Sequence, residues 1–262
     1  MALRIGRAVA LGVAAGFFGG LFGVGGGLIM VPGMVLLMGF AQHRAHATSL
    51  AVIIVSAGAA TVPLALDQRV DWDTAALLVA GAVLGAYAGA RLLGVTSDLW
   101  LARAFVILVL AAAVRMALEG PAGRGTVEGS LSLDLGPVGI AGLIGVGLVA
   151  GSVAALLGIG GGIVIVPALV ALFGFEQHLA QGTSLAVIVP TAMVATLMHG
   201  RAGRVDWRAA AMLAAGGLLG GFGGARLALA LDAPLLRQMF AGVQVLVAVR
   251  MLRRTRRTGP PS

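Results

Sequence analysis

The chain has 262 residues, 59% of them hydrophobic and only 11% charged, with a mean hydropathy of +1.03. Soluble domains carry about 25% charged residues, so this composition excludes a soluble fold and places the chain in lipid. All 18 basic residues are arginine, and they stand near the ends of apolar runs, most densely at Arg250, Arg253, Arg254, Arg256 and Arg257, which reads as topology-setting charge rather than a nucleic-acid surface.

The absence of cysteine rules out disulfides and thiolate metal sites. A spanning helix needs about 20 apolar residues, so the length leaves room for roughly eight to ten segments and for no soluble domain. In chain order, five apolar segments are expected at about 5–22, 27–40, 46–66, 73–94 and 99–118, and five more at about 138–157, 162–175, 181–199, 208–230 and 234–252.

The two sets are copies of one unit. Shifted by 135 positions, Gly16 to Met116 aligns without a gap to Gly151 to Met251, and roughly 45 of the 101 pairs are identical. The fold class expected is an all-α integral membrane bundle of two homologous repeats. Its parts are an N-terminal transmembrane repeat at 5–118, a polar linker at 119–137, a C-terminal transmembrane repeat at 138–252 and a basic tail at 253–262.

In each copy the first two segments form one apolar run broken by glycine. Unbroken, residues 8–40 would make a helix of roughly 50 Å, too long for one span, so the chain must break at Gly25, Gly26 and Gly27, and likewise at Gly160, Gly161 and Gly162. If the first pair is a re-entrant hairpin or two short crossings, the copies are inverted; if it is one broken crossing, they are parallel. With the N-terminus cytoplasmic, both topologies place thirteen arginines inside and five outside, so charge does not decide. Paired broken helices favour inversion by analogy with inverted-repeat transporters.

Each break places a helix N-terminus within the membrane, followed by Pro32 or Pro167. Its free N–H groups and partial positive charge suit an anion, while small residues there equally allow close helix packing. The third segments open on Gln42-His43-Arg44-Ala45-His46-Ala47-Thr48-Ser49 and Gln177-His178-Leu179-Ala180-Gln181-Gly182-Thr183-Ser184. Gln42, Thr48, Ser49, Gln177, Thr183 and Ser184 are candidate substrate contacts, with helix capping the simpler role for the hydroxyls. Arg91 and Arg226, at matching segment ends, either snorkel to the interface or steer an anion. Trp72 and Trp207 read as interfacial anchors.

Two other chemistries fit poorly. The glycine cluster lacks the Gly-x-Gly-x-x-Gly spacing and the later acid of a dinucleotide site. Ser184 with His199 has the outline of an intramembrane serine protease, yet the matching position in the first copy is Leu64. All ten carboxylates lie in or beside loops, which argues against a cation pump.

The elements Gly23-Val24-Gly25-Gly26-Gly27 to Pro32 and Gly158-Ile159-Gly160-Gly161-Gly162 to Pro167, each followed by Thr-Ser-Leu, resemble the TauE/SafE sulfite-exporter family, also described as sulfonate permeases. The resemblance runs from about residue 8 to 252 and departs from the pattern at Ala47, where glycine is usual. It implies a multi-pass permease of the bacterial plasma membrane without cofactor or enzymatic activity, exporting sulfite, sulfoacetate or another organosulfonate. The partners expected are a small anion and the lipid bilayer, with no nucleic acid and a homodimer as one assembly; the C-terminus is expected to be cytoplasmic. A non-transporting scaffold is the alternative.

Overall fold

The computed structural model describes residues 2–92 and 136–243, all eight of whose longer elements are helices. The fifth segment of the first copy, most of the linker and the basic tail lie outside the described residues.

The first copy contributes α1 (Ala2–Phe22), α2 (Gly27–Met38), α3 (Gln42–Leu66) and α4 (Trp72–Leu92). The second contributes α5 (Pro137–Leu157), α6 (Gly162–Phe173), α7 (Gln177–Arg201) and α8 (Trp207–Ala230), and residues 233–243 are again helical. Six of these helices are long and apolar enough to cross a membrane; α2 and α6, of 12 residues each, are not.

The glycine clusters end one helix and start the next. Gly26 and Gly161 take φ of 89° and 76° at the N-caps of α2 and α6, a left-handed conformation that costs a side-chain-bearing residue energy and glycine almost none. The reversal sends α2 back along α1: Gly26 lies against Ala15 and Gly16, and Gly33 against Leu11, so later residues meet earlier ones. The first pair is therefore a helical hairpin. In the second copy Gly161 lies likewise against Ala150 and Ala154.

Helix directions settle the relation of the copies. Gly12, Gly16 and Gly20 of α1 meet the α8 backbone at Leu213, Gly217 and Gly221 in rising order, so these helices run parallel. In the same way Gly81, Gly85 and Gly89 of α4 meet Ile144, Leu148 and Ser152 of α5. A methyl group at any of these glycines would overlap the facing backbone, which is the small-residue packing that membrane helices use to approach closely. Each copy thus lays its first helix on the fourth helix of the other.

At the centre α3 crosses α7. Arg69 and Val70, just past the end of α3, sit on Gly182 near the start of α7, while Ile53 and Ile188, each twelfth of 25 residues, flank the same two glycines, Gly25 and Gly160. The two equivalent helices run antiparallel, so the two-fold relating them is perpendicular to the helices and the copies are inverted.

The third helices begin four residues earlier than the apolar pattern suggests, at Gln42 and Gln177. The first turn is polar, and hydropathy does not register a helix until that turn is over. Asp71 starts α4 by accepting from the N–H of Asp73 and Thr74, and Asp206 starts α8 by accepting from Ala209. The tryptophans that follow, Trp72 and Trp207, are 61% and 60% exposed on the outer surface, as interfacial anchors require.

Candidate functional site

Both glycine breaks meet at the two-fold. Gly27 abuts Gly158 and Ile159, and Gly162 abuts Gly23 and Val24, so the N-terminus of each short helix faces the break of the opposite copy. The ends of four helices, two with partial positive and two with partial negative charge, converge there beside Ile53 and Ile188.

The hydroxyls of the Thr-Ser pairs stitch the copies together. Ser184 donates to the Gly23 carbonyl at 2.9 Å, and Ser49 donates to the carbonyls of Gly158 and His46, both at 2.8 Å. Thr183 accepts from the Asp71 N–H at 3.0 Å, and Thr48 accepts from the Asp206 N–H at 3.1 Å. All four side chains are fully buried. Since α3 and α7 begin seven residues before the serines, these groups do not cap their own helices. The serines satisfy the broken backbone of the opposite copy and the threonines its turn into the fourth helix, which lipid could not. Ser56 adds a bond to the Gly25 carbonyl at 3.2 Å.

The polar residues leading to the crossover differ between copies. Gln42 and His43 are exposed and His46 is half-buried, its Nδ1 donating to the Leu157 carbonyl. Their counterparts Gln177, His178 and Gln181 are buried. His178 bonds Glu176 at 2.6 Å through Nδ1 and faces the carbonyls of Ala228 and Leu231 through Nε2. Arg69 reaches Glu176 at 3.1 Å from the first copy. Burial works to raise the Glu176 carboxyl, but the hydrogen bond and charge of His178, with Arg69 behind it, hold it below the ordinary carboxylate value. Across the molecule Arg44 pairs with Asp206 at 3.3 Å.

Of the remaining candidates, Pro32 and Pro167 are the sixth residues of α2 and α6, Arg91 stands in the last turn of α4, and Arg226 is exposed on α8. Ser184 is engaged with Gly23 while His199 faces the Ala155 carbonyl at 3.3 Å, so each member of the protease outline has another partner. Gln181 and His46 were not singled out from sequence. The available signal was their spacing, four residues beyond Gln177 and Gln42 on the same helix face, polar in both copies.

A cleft of about 480 Å³ lies elsewhere, at the turn from α3 to α4, lined by Ala65, Gln68, Val70, Asp71, Trp72, Asp73 and Leu179. Its two carboxylates oppose an anion.

Comparison with known proteins agrees with this architecture. The family described as Sulfite exporter TauE/SafE matches twice in succession, over residues 2–142 and 143–262. The probable membrane transporter protein YunE of Bacillus subtilis is 30% identical over 236 residues, covering 81% of this chain and 84% of its own. A probable membrane transporter protein of Xylella fastidiosa is 28% identical over 250 residues, covering 93% of each chain. The probable membrane transporter protein MamO of Magnetospirillum gryphiswaldense is 27% identical over 281 residues, which is 92% of this chain and 44% of MamO. No solved structure matches the chain. Taken with six membrane-length helices in two inverted copies, these likenesses identify a multi-pass membrane transporter, and the chain belongs to the sulfite exporter TauE/SafE family.

Proposed function

We propose that the protein is a permease that exports a small sulfur-containing anion, such as sulfite, sulfoacetate or another organosulfonate, across the bacterial plasma membrane by alternating access. The observation that carries this reading is the crossover of two inverted glycine breaks at the centre of α3 and α7. Two short-helix N-termini there bring partial positive charge without any charged side chain, set beside the partial negative charge of two long-helix C-termini, so an anion binds on the N-terminal side of each break, and inverted halves rocking about a central site expose it to each side in turn. Gly25, Gly26, Gly27, Gly160, Gly161 and Gly162 form the centre. Thr48, Ser49, Thr183 and Ser184 line it while holding the opposite copy, and Gln42 and Gln177 stand at the two approaches.

Flux of sulfite, methanesulfonate, sulfate and chloride into proteoliposomes tests the proposal. Sulfite or methanesulfonate should move faster than chloride; if the folded protein moves none of the four, transport of this anion class is wrong. Gly25→Ala discriminates against a scaffold. Gly25 has φ of 80°, so alanine there strains the backbone by about 1–2 kcal/mol, but the first groups its methyl meets are the side chains of Ile53 and Ile188, at 3.1 and 3.3 Å, whereas a methyl on Gly27 or Gly162 would strike backbone of the other copy. A transporter should stay assembled with Gly25→Ala and lose flux.

A further inference from the structure

Two amides on α7 are buried with every polar atom unpartnered: Gln177 is 3% exposed and Gln181 is 0% exposed, and neither Nε2 nor Oε1 of either has a hydrogen-bond partner. Native proteins rarely bury such groups, because each has given up its hydrogen bonds to water for nothing. Four residues apart, they share one face of the helix, and the next turn on that side carries Ser184, which bonds Gly23. Gln181 lies directly over Gly23, so the face runs from the outer end of α7 to the glycine crossover. In the first copy the same rungs, Gln42 and His46, are exposed and half-buried.

We propose that Gln177 and Gln181 form an oxyanion subsite on the approach to the crossover, occluded in this structure, that binds a monovalent oxyanion when this half of the molecule opens. The inference rests on the transport reading above and assigns it a charge class. Two amides present up to four neutral N–H donors, enough to hold a singly charged oxyanion, and their carbonyls accept from a protonated oxygen or an accompanying water. A dianion stripped of water needs a cation, and the charge that Arg69 brings to this end of α7 is already paired with Glu176, which the His178 ring also bonds. Alternating access requires one approach to be sealed while the other is open, and the buried amides seal this one. The unpaired amides make the seal easy to break, since opening lets them bond to water or substrate.

The test is the KM for sulfite and for methanesulfonate in proteoliposomes, set beside the melting temperature in detergent without anion. Gln181→Leu and Gln181→Met should raise KM about tenfold, the equivalent of one or two neutral hydrogen bonds. Both should melt at or above the wild-type temperature, because an unpaired amide has been removed from the interior. Gln181→Glu should stop flux by like charge, and sulfate should move more slowly than methanesulfonate through the wild type. Wild-type KM in Gln181→Leu, Gln181→Met and Gln177→Leu would overturn the subsite while leaving transport intact. Failure of the wild type to move any anion would instead overturn the transport reading, and the subsite with it.

Discussion

The crossover and its two approaches obey different rules. At the crossover the copies match atom for atom in their main bonds: Ser49 to Gly158 mirrors Ser184 to Gly23, and Thr48 with Asp206 mirrors Thr183 with Asp71. Nearly two turns farther out the equivalence fails, with Gln42 and His43 exposed where Gln177 and His178 are buried. The centre is a two-fold hub whose broken backbones each copy repairs for the other, whereas the approaches differ in burial. For the permease proposed above, a packed hub would keep its grip on substrate while the halves rock about it.

The largest effect should come from filling the hub. Gly27→Leu and Gly162→Leu each drive a side chain into the other copy's backbone, and both should lose several kcal/mol and the monodisperse peak in size-exclusion chromatography. Equal damage supports the two-fold; damage from one alone breaks it. Next, Ser49→Ala and Ser184→Ala each leave a buried carbonyl unpaired and should lower stability by about 1–3 kcal/mol, to similar extents, in thermal melts.

The approaches should respond unequally. Because the chain contains no cysteine, single Gln42→Cys and Gln177→Cys variants report cleanly. An impermeant maleimide should label position 42 readily and position 177 slowly, and from opposite faces of sealed vesicles. Equal rates from one face would refute both the inversion and the occlusion. The smallest effect concerns pH. The Glu176 carboxyl titrates lower in the folded state than its ordinary value of 4.5, so the unfolded chain binds more protons there, and stability is full above that value and falls as pH drops through the folded one. Glu176→Gln should remove this acid sensitivity from melting curves; Ala41, the matching residue, confers none in the first copy.

Much of the hub was legible as a list of residues but not as a set of bonds. The triple glycines, the Thr-Ser pairs and the Arg-Val-Asp-Trp elements all repeat at a spacing of 135, so each stood out. Read singly, Thr48 and Ser49 suggested caps for their own helix. In fact they lie six and seven residues past its start and serve chain more than a hundred residues away. The orphaned state of Gln181 was hidden for a similar reason, since burial is set by what packs over a side chain and leaves no trace in local pattern.

The chain by itself determined that it lives in lipid, that it is a gapless duplication, and that each half must break at three glycines. Those conclusions follow from hydropathy, helix length and the missing side chains, which act locally along the chain. Only the tertiary structure decided that the halves are inverted and exchange their first helices. Both topologies place the arginines equally well, so the choice fell to contacts between distant glycine faces, where backbones of opposite copies come close enough to define direction.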